Sequence, residues 1–225
     1  MKAQWVGDFT GRTSAYLLAL ALAAGTVDAS NYLGLGRVFT ANMTGNTVLL
    51  GVALARGSTG DAARSVAALT GFCAGAAFGV ALAREHGPWP QIATRSFLLE
   101  VFALAVLMVV WAAVGVGTER LVLIAVSGIA MGAQSAAVRA SNVRGVNTTY
   151  MTGTLLNAVA QLVQRARRLP RDRERPGLPG AAWATYALGA LGGAFAVKAW
   201  HAAVVAIPLA IVAAVTAAAG CENNR

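Results

Sequence analysis

The sequence predicts an all-α, polytopic transmembrane helix bundle made of two homologous halves. Three observations predict it. Hydrophobic residues make up 57% of the chain and charged residues 12%, about half the charged share of a soluble domain. The apolar residues gather into runs of about 20, the length that crosses a bilayer as a helix. The chain also repeats itself: residues 38–50, VFTANMTGNTVLL, are echoed by residues 146–158, VNTTYMTGTLLNA. Met43-Thr44-Gly45 thus returns as Met151-Thr152-Gly153, and with a slip of one residue Gly25, Asp28 and Ala29 align with Gly132, Ser135 and Ala136. Duplicated polar motifs set in apolar sequence are how many membrane transport folds are built.

Taken in order, the first apolar run follows Lys2 and Arg12 and has the outline of a secretory signal. The duplication argues for its retention as a first helix, because it is the counterpart of residues 120–141. The spanning candidates are 13–34, 61–84, 97–117, 119–140, 180–198 and 200–219. Two shorter stretches, 43–55 and 151–164, begin at the repeated motif. Each half therefore reads long, short, long, long, and the whole is one membrane domain over residues 1–225, with repeats at about 13–117 and 119–219. Two architectures fit. Six spanning helices plus two short motif helices make the repeats inverted; eight spans make them parallel. The sides carry 13 and 5 Lys/Arg in the first case and 12 and 6 in the second. In both, the N- and C-termini and the basic loop at 165–180 fall on the richer, cytoplasmic side.

Gly71, Gly75 and Gly79 form a glycine face at four-residue spacing, matched by Gly189 and Gly193 in the second half. Such faces let backbones approach closely in lipid, and this one also offers a route to oligomers. The loop RARRLPRDRERPGLPG holds Arg165, Arg167, Arg168, Arg171, Arg173 and Arg175. Beside an apolar run it reads as a juxtamembrane anchor for anionic lipid. The net charge of +9 is therefore a membrane feature, and its distribution argues against nucleic acid. With only Cys73, Cys221, His86 and His201 available, no metal-ligand spacing occurs. The order and spacing of a hydrolase or a phosphate loop are equally missing, so the expectation is a non-enzyme without cofactor.

Ionisable residues within membrane helices are costly and invite a functional role. Asp28 lies in the first helix with Tyr32 one turn on. The second half offers Gln134, Ser135 and Arg139, with Arg139 aligned to Tyr32, so an Asp28–Arg139 ion pair across the repeat interface is expected. Glu100, close to Arg95, is the second buried acid and a proton-coupling candidate. Thr40, Asn42, Thr44, Asn46 and Thr47 crowd one motif segment; Asn147, Thr148, Thr149, Thr152 and Thr154 crowd the other. Hydroxyls and amides there can satisfy backbone at a helix break, replace part of a solute's hydration shell, or glue helices together. Helix N-termini at such breaks suit an anion.

Asp28-Ala29-x-x-Tyr32-Leu33, continued by Gly36-x-Val38-Phe39-x-Ala41-Asn42-Met43-Thr44-Gly45-Asn46, resembles the signature of the YoaK-like family of bacterial integral membrane proteins. Met131-Gly132-x-Gln134, Arg139 and Thr148-Thr149-x-Met151-Thr152-Gly153 resemble it in the second half, with Ser135 departing from the asparagine expected beside Gln134. The resemblance spans nearly the whole chain. It implies a bacterial cytoplasmic-membrane protein with six spans, and it brings no substrate or catalytic residue. The expected function is a small-solute permease or secondary transporter taking a small polar or anionic solute at the interface of the halves. The substrate-binding set is Asp28, Asn42, Thr44, Asn46, Gln134, Arg139, Thr149 and Thr152. The competing class is a non-transporting scaffold or sensor that acts through the basic loop.

Overall fold

The computed structural model describes residues 10–84, 86, 87, 89–115, 117, 120–143, 145–167 and 175–222. Arg168, Arg171 and Arg173 of the basic loop lie outside them. Among the described residues the chain is helical throughout: α1 (Thr10–Gly34), α2 (Met43–Ala55), α3 (Thr59–Leu82), α4 (Thr94–Val114), α5 (Arg120–Arg139), α6 (Met151–Ala166), α7 (Leu178–Trp200) and α8 (Ala206–Glu222). Short 3-10 turns precede α4 and α8. Five apolar runs are long enough to cross a membrane. The last, Leu178–Cys221, is 44 residues long, about 66 Å as one helix and twice the hydrocarbon thickness. It is broken at His201, whose φ of 47° ends α7 and lets α8 turn back. Outward-facing Phe78, Phe102, Leu188, Leu191 and Phe195 are each more than half exposed, a surface suited to lipid rather than water.

Contacts at the helix ends fix the direction of every long helix. At one end, here called distal, Gly34 packs on Trp111 and Val197, and Gly36 on the side chains of Arg64 and Arg120. This gathers the ends of α1, α4 and α7 with the starts of α3 and α5. At the other, proximal end, the Trp89 indole donates to the carbonyl of Ala137 at 2.8 Å, the Ser96 hydroxyl to that of Gly79 at 2.7 Å, and Arg175 to the Ser14 hydroxyl at 2.8 Å. α1, α4 and α7 therefore run one way, and α3 and α5 the other.

The helices pair through glycine. α3 lies along α5, and α1 along α7. A methyl on Gly75 would overlap the carbonyl of Ile129, and one on Gly189 would overlap that of Leu22. Gly79 meets Ala133 as Gly193 meets Thr26, and Gly132 meets Phe72 and Ala76 as Gly25 meets Tyr186 and Ala190. The α1 and α5 members of these pairs differ by 107 positions each time, the α3 and α7 members by 114. Gly71, Gly75 and Gly79 are buried against α5 of the same chain. This face is filled within the chain.

The short helices return to the end they came from. Residues 35–42 dip from the distal end to the level of Asp28; α2 then climbs back, since Val52, Ala53 and Arg56 share a cavity with Tyr32 and Arg37. Its 13 residues span about 20 Å, less than the hydrocarbon thickness. In the same manner residues 145–150 rise from the proximal end. α6 falls back to it, where Gln161 accepts from the N–H of Gly177 at 2.9 Å.

Candidate functional site

The polar centre is built where the dipping loops meet the long helices. Asp28 is buried on α1. Its Oδ1 accepts from the N–H groups of Thr40 and Ala41, both at 2.7 Å. Its Oδ2 accepts from the N–H of Asn42 at 3.1 Å and the hydroxyl of Tyr186 on α7 at 2.7 Å. A loop inside a membrane bundle has no ladder and no water for its backbone; this carboxylate supplies the acceptors. Asn42 then caps α2, its side chain accepting from the N–H of Gly45 at 3.3 Å. Asn46, fully buried, accepts from the N–H of Phe39 at 3.0 Å and donates to its carbonyl.

The second loop uses the same positions with different chemistry. Thr154 accepts from the N–H of Asn147 at 3.1 Å and donates to its carbonyl at 3.0 Å, as Asn46 does for Phe39. The hydroxyls of Ser135 and Thr149 are hydrogen bonded at 2.7 Å, where the first half has Asp28 and the backbone of Ala41. Two buried amides tie each loop to the opposite leading helix. Asn31 donates to the hydroxyls of Thr40 at 2.6 Å and Ser127 at 2.5 Å. Gln134 donates to the hydroxyl of Thr148 at 2.8 Å and the carbonyl of Leu20 at 3.1 Å. The motif glycines make room for the loops: a Cβ on Gly45 would press on the Phe39 ring, and one on Gly153 on the Tyr150 ring.

A cavity of about 550 Å³ opens between the two dipping loops towards the proximal end. Met43 and Thr44 at the start of α2, Phe72 and Ala76 of α3, Ser135 and Arg139 of α5, and Asn147, Thr149 and Tyr150 of the second loop all line it. No carboxylate is among its described lining residues. Arg139 is exposed into it and has no acidic partner among the described residues. The N-terminus of α6 has no side-chain cap, which leaves backbone donors at the cavity's edge.

Of the residues expected to bind substrate, Thr44, Arg139 and Thr149 converge here. Asp28, Asn42, Asn46 and Gln134 instead hold loop backbone and helices from behind. Thr152 is exposed on the first turn of α6 and does not line the cavity. The Asp28–Arg139 ion pair does not form. α1 and α5 run antiparallel, so Tyr32 and Arg139, aligned in sequence, sit at opposite ends of the bundle. Asn31, Ser127 and Tyr186 had no spacing to announce them, since their partners lie 9 to 158 residues away.

Glu100 is fully buried on α4, and neither carboxylate oxygen has a hydrogen-bond partner. It does not pair with exposed Arg95. An unsatisfied buried polar group costs about 1–3 kcal/mol, so Glu100→Met is expected to raise the unfolding midpoint of the purified protein. A lowered midpoint would show that the carboxyl has an interaction worth keeping.

Apolar helices, lipid-facing aromatic side chains and a polar centre with dipping loops define a multi-pass helical membrane protein. Among known proteins, the family model described as protein of unknown function, DUF1275, matches residues 16–218. The chain belongs to that family. It is 38% identical over 154 residues to the UPF0700 transmembrane protein YoaK of Bacillus subtilis (strain 168), an alignment covering 66% of this chain and 67% of that protein. No solved structure matches it.

Proposed function

We propose that the protein is a small-solute permease of the bacterial cytoplasmic membrane, with six spans in two inverted repeats and α2 and α6 as re-entrant elements. Inversion accounts for the recurring offsets in the glycine contacts and for the two short helices returning to opposite ends. The proximal end, with the start of α1 and the residues flanking the basic loop, is cytoplasmic by the distribution of arginine in the sequence. The substrate site is the cavity at the meeting of the two loops, with Thr44, Arg139 and Thr149 as solute contacts.

One observation carries the reading: equivalent positions are locked at one end and parted at the other. Distally, Tyr32 stacks on Phe39, ring centroids 5.1 Å apart, and Tyr186 bonds Asp28. Proximally, their counterparts Arg139 with Asn147 and Ser135 with Phe72 make no such contact among the described residues and line the cavity. A pseudo-symmetric bundle with these contacts made on one side and missing on the other has the asymmetry that alternating access requires. The second state would part Tyr32 from Phe39 and close the cavity below.

Cysteine labelling tests it, in a chain with exposed Cys73 and Cys221 replaced by serine. Ser135→Cys is expected to react with an impermeant maleimide from the cytoplasmic face. Adding Phe39→Ala is expected to make it reactive from the opposite face as well. If the thiol introduced by Ser135→Cys is unreactive from both faces, or is never reached from outside in any gate variant, the cavity is a dead end and the protein no permease.

A further inference from the structure

The distal end holds a second feature that transport does not explain. Arg37, Arg56, Arg64 and Arg120 come from the first loop, the end of α2, α3 and the start of α5, and all converge on the turn at Gly36. Arg37 and Arg120 line a cavity of about 340 Å³ with Tyr32, Gly34 and Gly36. Arg37 and Arg56 line an adjoining one of about 220 Å³ with Tyr32, Asp61 and Ser65. The Arg64 side chain lies across Gly36, its Cδ 2.8 Å from where a Cβ would stand and the Arg120 Cδ 3.4 Å. Among the described residues Asp61 is the only acid lining either cavity, and it is already engaged by Arg64 and the Ser58 hydroxyl. The Arg64 Nε is buried without an acceptor.

This concentration runs against expectation. The distal side is the poorer in basic residues, with 5 of 18 Lys/Arg on the six-span count, yet four of them meet at one turn. Arg37 adds an independent sign. It takes the left-handed backbone, φ 62°, at the position where the second half has Gly145 at φ 80°. Glycine adopts that conformation freely and arginine does not. A strained residue kept where its counterpart is unstrained points to a use for its side chain.

We infer that the Gly36 turn is a binding site for an oxyanion of phosphate type, held by the guanidinium groups of Arg37 and Arg56, with Arg120 at its edge. Planar guanidinium forks match the oxygens of phosphate bidentately, and the Tyr32 and Ser65 hydroxyls border the same space. The anion is either a free solute or the phosphate of a lipid headgroup, since the turn sits at a helix end. The site stands whether or not the protein moves a solute.

The test is thermal unfolding of the full chain, followed by tryptophan fluorescence. In detergent, sodium phosphate is compared with sodium chloride at matched ionic strength. In parallel, nanodiscs of phosphatidylcholine are compared with nanodiscs containing phosphatidylglycerol. The variants are Arg37→Gly and Arg56→Gln, with Arg95→Gln at the proximal end as control. Arg37→Gly relieves the strained backbone, so its midpoint without anion is expected at or above that of the parent chain. The parent and Arg95→Gln are expected to gain several degrees from phosphate, and both site variants to lose that gain. A gain seen only with phosphatidylglycerol and lost in Arg37→Gly assigns the site to a headgroup. Gains from phosphate or phosphatidylglycerol that survive in both site variants, or no gain from either anion, overturn the site. Cysteine accessibility of the proximal cavity is a separate measurement, so the permease reading can fail while this site stands.

Discussion

Gly75→Leu is expected to prevent assembly of the bundle. The added side chain would begin inside the carbonyl of Ile129, and backbone cannot rotate aside as a side chain can. α3 would have to leave α5 along its length, losing the close packing that drives helix association in lipid. Overpacking costs typically about 1–3 kcal/mol and more when backbone must move; this case belongs at the upper end or beyond. Only the larger cost of opening the whole α3–α5 contact, about 5 kcal/mol or more, cancels a total stability that starts at about 5 kcal/mol and so removes the folded population. Gly189→Leu, pressing on Leu22, should do the same from the other half. Gly51→Leu is the control, with no atom within 4 Å of its Cβ position. Size-exclusion profiles after detergent extraction decide it: aggregates for the first two variants and a single peak for the third. A monodisperse Gly75→Leu protein would mean that the α3–α5 contact is looser than described.

Asp28→Ala should have the second largest effect. It strands three loop N–H groups and the Tyr186 hydroxyl in the interior. At about 1–3 kcal/mol for each group left unsatisfied, the loss is about 4 kcal/mol or more with all four stranded, and less where water reaches one of them. Tyr186→Phe removes one of the four donors and leaves the carboxylate its backbone partners, so a cost of about 1–2 kcal/mol is expected. Unfolding midpoints of the two variants measure the ratio. If Asp28→Ala folds with an unchanged midpoint, the carboxylate is free for a solute and its structural role is wrong.

Much of the secondary structure was legible because a bilayer imposes a length. The runs 13–34, 61–84 and 119–140 became helices at 10–34, 59–82 and 120–139, and α2 and α6 begin at the repeated Met-Thr-Gly. The site was legible only in part. Thr44, Arg139 and Thr149 were recognised as unusual and do meet in the cavity. Asp28 was recognised for the same reason, yet its partners are backbone groups, which sequence does not distinguish. The expected ion pair failed because alignment gives equivalence of position along a repeat and says nothing of which end of the bundle that position reaches. Tyr186 escaped notice because its partner is 158 residues away, brought near only by α1 lying along α7.

That pairing bears on how the molecule is made. α1 finds its glycine-lined groove on α7, and α3 finds its own on α5, so neither half contains a finished interface. Until residue 193 has been made α1 stands in lipid with its small-residue stripe uncovered, and α3 does so until α5 is complete at residue 139. The two halves expressed as separate polypeptides should each be degraded alone and should rescue one another when made together.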